Sequence, residues 1–126
     1  MTDRSVVLVL NRDLMFGSRI SSAVKALGMQ VRIVKSDDVF RAIMLEPTVA
    51  LGILDMNTTI DWEAITTLIA NPEITVSIIG FGPHVDVEGR RAAKAAGLRR
   101  IFSNGEFSAD IAASIRRYAV PNPPLS

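Results

Sequence analysis

Residues 49–55 read VALGILD, an apolar run that ends in a single aspartate, Asp55. A continuous apolar stretch of this length is typical of a strand that is buried on both faces of a parallel sheet. Two similar runs stand at residues 5–10 (SVVLVL) and 74–79 (ITVSII). The sequence therefore predicts a sheet in which these three runs are the central strands and Asp55 ends one of them.

Two further segments complete the predicted set of strands. Met29–Val34 alternates apolar and polar residues, as an edge strand does, and Leu98–Phe102 is a short fifth strand. Glycine and proline predict a loop at residues 80–83. Helical patterns separate the strands at about Leu14–Leu27, from Ser36 to Glu46, at Asp61–Ala70, at Asp86–Ala96 and at Phe107–Tyr118. Five strands and five helices in strict alternation predict a doubly wound α/β fold with a parallel sheet.

Length and composition predict one globular domain. The chain has 126 residues, of which 48% are hydrophobic and 21% are charged. Residues 1–119 are predicted to form the domain. Residues 120–126 (VPNPPLS) are expected to be a proline-rich tail, because they cannot continue the last helix.

The chain contains no cysteine, which excludes disulfides, thiolate metal sites and cysteine nucleophiles. No apolar run approaches the roughly 20 residues that span a bilayer, and the N-terminus does not resemble a signal peptide. We therefore expect a cytoplasmic protein without a membrane segment.

Basic residues concentrate in the last third of the chain, although the net charge is only +1. They predict a surface, formed by the fourth helix, the fifth strand and the fifth helix, that docks a protein partner or a second copy of the chain. A solvated face is the plainer alternative. Nucleic acid is not expected, because no helix-turn-helix is appended and Asp86 and Glu88 share the fourth helix. The basic residues are Arg90, Arg91, Lys94, Arg99, Arg100, Arg116 and Arg117.

The carboxyl ends of the parallel strands should meet at one crevice. This places Asp55 near Asn11 and Arg12, near Gly80, and near Asn104. The set holds one carboxylate, without a second pair of acids and without a lysine. No GxxxxGK or GxGxxG pattern is present, so a nucleotide site receives little support.

The order and spacing of several motifs resemble the receiver domain of bacterial two-component response regulators, the CheY-like family, over residues 5–119. The motifs are VLVL followed by polar residues, GILD before a loop, TVSIIG before a glycine-rich loop, and AAGLRRIF before SNGEF. The resemblance implies a flavodoxin-like sheet of strand order 2-1-3-4-5, with the site at the switch point between strands 1 and 3. It also implies that Asp55 matches the aspartate that accepts phosphate.

The other positions depart from the family pattern. The acidic pair that holds magnesium in the family falls on Asn11 and Arg12, with Asp13 one step further along. The hydroxyl residue that ends strand 4 falls on Gly80, and the lysine that ends strand 5 falls on Asn104. Phosphoryl transfer to a carboxylate needs a cation and fixed positive charge. We therefore expect a degenerate pseudo-receiver without a catalytic residue, a metal or a cofactor.

Three functions remain open at this point. The first is a stand-alone adaptor that acts by protein contacts without phosphorylation, in which no output domain is expected after the last helix. The second is a single-domain regulator that is phosphorylated on Asp55 and uses Asp13 as a metal ligand. The third is a small-molecule sensor in a strand-end crevice that Gly80, Gly82 and Gly105 would leave open.

Two local interactions are also expected. Asp13 should cap the first helix, because it directly precedes that helix. Asp55 should either accept a hydrogen bond from a backbone N–H or pair with Arg12. Of these we predict the ion pair, with the Arg12 guanidinium in the place of a metal ion.

Overall fold

The computed structural model describes residues 4–120 and contains one five-stranded sheet of order β2-β1-β3-β4-β5, in which neighbouring strands are parallel. The predicted fold class and strand order are confirmed. The strands are β1 (Val6–Leu10), β2 (Gln30–Val34), β3 (Val49–Asp55), β4 (Ile78–Gly82) and β5 (Arg100–Ser103).

The described part of the chain has six helices, which cover both faces of the sheet; the first four connect the strands and the last two follow the fifth strand. Aspartate side chains cap four of them, with Asp13, Asp61, Asp86 and Asp110 each accepting a hydrogen bond from a backbone N–H of the first turn. The helices are α1 (Leu14–Ala26), α2 (Asp37–Met44), α3 (Trp62–Ala70), α4 (Val87–Ala96), α5 (Asn104–Ala109) and α6 (Ile111–Tyr118).

The sheet separates two hydrophobic cores. Val9, Ile53 and Phe81 face the core that α1, α5 and α6 cover, and Leu10 and Leu54 face the core that α2, α3 and α4 cover. Every residue of β3 and β4 is buried, whereas none of β2 is. The prediction that β1, β3 and β4 are central and β2 is an edge strand is thus confirmed.

The predicted boundaries of the fourth strand were wrong. We expected a strand at residues 74–79 and a loop at 80–83, but β4 runs from Ile78 to Gly82. Gly80 pairs with Leu54 on one side and Ile101 on the other, so it lies inside the sheet. A Cβ atom on Gly80 would lie 2.8 Å from Leu98 Cδ2 and 3.0 Å from Met56 Sδ. Crowding by these side chains, and not a turn, accounts for the glycine.

The predicted last helix, Phe107–Tyr118, is two helices. Asp110 has φ −157° and ψ 83°, which interrupts the helical backbone, and its carboxylate accepts from Ala113 N at the start of α6. The preceding α5 begins at a capping box, in which Ser103 Oγ accepts from Glu106 N and Glu106 Oε1 accepts from Ser103 N. The sequence pattern Ser-x-x-Glu carries this signal, which our prediction overlooked.

None of the helices among residues 4–120 is long and apolar enough to cross a bilayer. At the end of the described residues, Val120 N donates to Ala50 O at 2.9 Å, which attaches the chain after α6 to β3. The rest of the predicted tail lies outside the described residues.

Candidate functional site

Asp55 is the last residue of β3 and lies at the carboxyl edge of the sheet, in register with Phe81 of β4. Its exposure is only 1%, although it carries a carboxylate. A buried carboxylate is costly unless hydrogen-bond donors or a cation compensate it. The groups around Asp55 therefore determine what it can do.

Both carboxylate oxygens of Asp55 accept hydrogen bonds from amide groups. Asn11 Nδ2 donates to Oδ2 at 2.8 Å. Asn57 donates twice to Oδ1, from its backbone N at 2.9 Å and from Nδ2 at 2.7 Å. The Asp55 backbone carbonyl accepts from Thr58 N and Thr58 Oγ1, which closes the turn after β3. The carboxylate is thus compensated by dipoles and not by a cation.

The predicted ion pair between Arg12 and Asp55 was wrong. Arg12 is exposed, and the only ion pairs within residues 4–120 are Arg32–Glu46 and Arg41–Asp37. The side chain of Asn11 turns inward in its place, because burial of a neutral amide costs less than burial of a guanidinium. The alternative reading, in which Asp55 accepts from a backbone N–H, is confirmed by its bond from Asn57 N.

Asp13 caps α1, as predicted. Its Oδ1 accepts from Met15 N at 2.9 Å, and the residue is exposed. Within the described range, no three Asp, Glu, His or Cys side chains gather in a group that could hold a metal ion. Magnesium prefers several carboxylate oxygens, and those of Asp55 already accept amide hydrogens. The residues present do not fit a magnesium site.

Asn104 joins the site through Asn57. Asn57 Nδ2 lies 3.1 Å from Asn104 Oδ1, and Asn104 Nδ2 lies 3.3 Å from Asn57 Oδ1. Asn11, Asp55, Asn57 and Asn104 thus form a continuous chain, here called the amide network. It connects β1, the end of β3 and the start of α5. Our prediction missed Asn57, although an aspartate at the start of a loop often accepts from the backbone N–H two residues further on, as in an Asx turn.

Gly80 has no side chain and contributes no polar group to this site. A Cβ atom added to it would meet Leu98 and Met56. Its neighbour Phe81 lies beside Asp55 and is fully buried. The Phe81 ring stacks on Phe107, with centroids 4.5 Å apart and planes 7° apart, and contacts Phe16 at 4.7 Å. An aromatic cluster therefore underlies the amide network. Of the predicted pocket residues, the structure joins Asn11, Asp55 and Asn104 and leaves Arg12, Asp13 and Gly80 outside.

The predicted crevice is not left open by all three glycines. A Cβ atom on Gly82 would lie 2.8 Å from Met56 Cβ, and Gly80 is crowded in the same way. Only Gly105 faces open space. Met56 and Leu98 thus fill the region under the strand ends that a ligand would need.

The seven predicted surface residues lie on α4, on and just before β5, and on α6. Three arginines lie against aromatic rings. The Arg100 guanidinium carbon is 4.7 Å from the Phe102 centroid, and those of Arg99 and Arg117 are 5.8 and 5.7 Å from Tyr118. Such contacts hold the guanidinium groups in place while they remain exposed. The exposed members are Arg91, Lys94, Arg99, Arg100 and Arg117, and the half-buried members are Arg90 and Arg116.

No protein-family model and no curated protein sequence matches the chain. Solved structures do match it. The receiver domain of TorR, a response regulator of the TMAO respiratory system, shares 18% identity at a TM-score of 0.76, over 90% of this chain and 94% of that one. Chemotaxis protein CheY4 of Vibrio cholerae shares 14% identity at a TM-score of 0.74, over 90% and 98%.

A third structure, the orphan response regulator HP1043 of H. pylori, shares 13% identity at a TM-score of 0.71, over 93% of this chain and 95% of that one. These similarities extend over nearly the whole of both chains while the sequences have diverged. They agree with the strand order of the sheet. The chain therefore has the fold of CheY-like receiver domains.

Proposed function

We propose that this chain is a pseudo-receiver, a signalling module that acts through protein contacts without phosphorylation of Asp55. The observation that carries the proposal is the amide network, in which three donors occupy both oxygens of a carboxylate that is 1% exposed. CheY4, TorR and HP1043 are all described as response regulators or as a chemotaxis protein, which supports the signalling class.

The network opposes phosphoryl transfer for two reasons. If Oδ2 attacked phosphorus and gave up its hydrogen bond, the Asn11 amide, which is 3% exposed, would be left buried without this partner. The incoming phosphoryl group also needs positive charge to offset the charge on its oxygens. Asn11, Asn57 and Asn104 supply only dipoles, and Arg12 is turned toward solvent.

The basic surface of α4, β5 and α6 is the proposed contact region, either for a protein partner or for a second copy of the chain. Arginines pair bidentately with carboxylates, and those that lie on aromatic rings lose less freedom on binding. We propose a cytoplasmic, non-enzymatic module of this kind, with the surface acting as its output. Phosphorylation on Asp55 is the competing function, and Asp13 supports it poorly because its carboxylate caps α1.

Intact-mass spectrometry after incubation with acetyl phosphate and magnesium tests the proposal. We expect no gain of one phosphoryl mass in the parent chain. A matched variant, Asn11→Asp with Arg12→Asp and Asn104→Lys, rebuilds an acidic pair and a lysine around Asp55. A phosphoryl adduct on the parent that disappears in Asp55→Asn would overturn the proposal.

Magnesium alone gives an independent measurement. We expect titration calorimetry to detect no site tighter than about 1 mM, or roughly −4 kcal/mol, because too few anionic oxygens face the network. A tighter site that is lost in Asp55→Asn would favour phosphorylation.

A further inference from the structure

A second concave site lies next to the amide network, between the start of α1 and the edge strand β2. It has a volume of about 230 Å³. Apolar atoms form most of its wall, and Gly17 leaves room at its base. We call it the α1–β2 pocket, and it is lined by Asn11, Arg12, Asp13, Leu14, Gly17, Ser18, Ser21, Ile33 and Lys35.

The α1–β2 pocket combines exposed apolar side chains with cations. Leu14 is 84% exposed and Ile33 is 37% exposed, so both present apolar surface at the pocket. Arg12 and Lys35 are also exposed, and neither forms an ion pair with any residue between 4 and 120. The one carboxylate in the lining, that of Asp13, accepts a hydrogen bond from the α1 backbone. The charges therefore favour an anion.

We propose that the α1–β2 pocket binds a small amphipathic anion, with an aliphatic or aryl body in the pocket and a carboxylate against Arg12 and Lys35. The volume lies below the roughly 300–1,000 Å³ of pockets for drug-sized ligands, so the body has about ten heavy atoms or fewer. Leu14 and Ile33 contact the body of such a ligand. Ser18 and Ser21 are placed to accept or donate hydrogen bonds at its side.

The pocket and the amide network share one residue. Asn11 lines the pocket and also donates to Asp55 Oδ2 at 2.8 Å. Gly17 permits this arrangement, because a Cβ atom on it would lie 2.8 Å from Asn11 Oδ1. A ligand in the pocket therefore lies against the residue that holds Asp55. This site supplies an input next to the strand ends that does not involve phosphate.

Nuclear magnetic resonance on the full chain, labelled with ¹⁵N, tests the site with three named probes of equal length. They are hexanoate, hexan-1-ol and hexylammonium. We expect hexanoate to give saturable shifts at the amides of residues 11–21 and 33–35, hexan-1-ol to bind more weakly, and hexylammonium to give none. Equal shifts from hexylammonium, or hexanoate shifts centred elsewhere, would overturn the proposal.

Variants separate the two parts of the pocket. Arg12→Gln and Lys35→Gln should each weaken hexanoate about two- to fivefold, since each removes one exposed charge pair, and should leave hexan-1-ol unchanged. Ser21→Leu should weaken both by filling the pocket. Lys25→Gln, at an exposed lysine of α1 outside the lining, should match the parent. Unchanged hexanoate affinity in both charge variants would refute the site, and the phosphorylation test would be unaffected.

Discussion

Asn11 and Asp55, which are 44 positions apart in the chain, meet through a 2.8 Å hydrogen bond at exposures of 3% and 1%. The bond joins the ends of two neighbouring strands, β1 and β3. Because both partners are buried, loss of Asn11 leaves Asp55 Oδ2 without its donor, and loss of Asp55 leaves Asn11 Nδ2 without this acceptor. The pair is therefore a point at which stability and the proposed function can be measured together.

Asn11→Ala should lower the free energy of unfolding by about 1–3 kcal/mol, because Oδ2 of Asp55 loses its donor while it stays buried. Urea denaturation at neutral pH measures this change. The double variant Asn11→Ala with Asp55→Asn should lose less than the two single losses added together, since the unpaired charge is removed. Strict additivity in this double-mutant cycle would contradict the pairing.

Glu106, in the first turn of α5, should make the free energy of unfolding depend on pH. Its hydrogen bonds from the Ser103 backbone and side chain hold the pKa of its carboxyl below the ordinary 4.5. A lowered pKa means that the folded state favours the ionised form, so this contribution is present above pH 4.5 and is lost as the pH falls through the folded pKa.

Glu106→Gln should therefore be less sensitive to acid than the parent over that range, as measured by urea denaturation at a series of pH values. The carboxyl is exposed, so solvent screening keeps the difference small. Ser103→Ala removes the cap itself and should cost about 0.5–2 kcal/mol. An unchanged pH profile in Glu106→Gln would contradict the assignment.

Two glycine substitutions should change the stability of the chain in opposite directions. A Cβ atom on Gly52 of β3 would lie 2.7 Å from Met44 Sδ and 2.9 Å from Phe40 Cζ, whereas one on Gly105 meets no atom within 4 Å. Gly52→Ala should destabilise the chain by about 1–3 kcal/mol through overpacking. Gly105→Ala lies in α5 and should be neutral or stabilise it by up to about 1 kcal/mol. Thermal unfolding of both variants checks the contrast.

Charge reversal on the basic surface should weaken protein contact without unfolding the chain. Arg91→Glu with Arg100→Glu should reduce self-association or partner binding, measured by sedimentation velocity over a concentration series. The melting temperature should change little, because both arginines are exposed and the contact of Arg100 with the Phe102 ring is worth only about 0.5–1 kcal/mol.

Lys25→Glu is the control, since this lysine is exposed and lies outside both the basic surface and the α1–β2 pocket. If the Arg91 and Arg100 variant retains all binding, the surface is merely solvated. If the parent chain stays monomeric throughout, the partner is not a second copy.

The sheet and the position of Asp55 could be predicted because they depend on burial, and apolar runs report burial directly. The residue that pairs with Asp55 could not be predicted from the sequence. Asn11 and Arg12 are adjacent, and which of them turns inward depends on the direction in which the chain leaves β1 and enters α1. That direction follows from the Asp13 cap and from the space that Gly17 leaves beside Asn11.

The prediction of the β4 boundaries was wrong for a different reason. Glycines in the sequence indicate a turn, but Gly80 and Gly82 are small because Met56 and Leu98 occupy the adjacent space. Met56 and Leu98 are distant from these glycines in the sequence, so no local pattern indicates that they will occupy this space. The split between α5 and α6 was more accessible, since Ser103 and Glu106 have the spacing of a capping box.

The amide network also has a consequence for how long a signal would last. An acyl phosphate decays, so a signal held on a carboxylate has a lifetime that a cell can set through kinases and phosphatases. The hydrogen bonds of the network form when the chain folds, and their lifetime is not set by kinases and phosphatases. They join Asn11, Asp55, Asn57 and Asn104. Under the proposed function, kinases and phosphatases therefore do not reset this site. What a cell adjusts instead is how many copies of the chain exist, through synthesis and degradation, and how much ligand reaches the α1–β2 pocket.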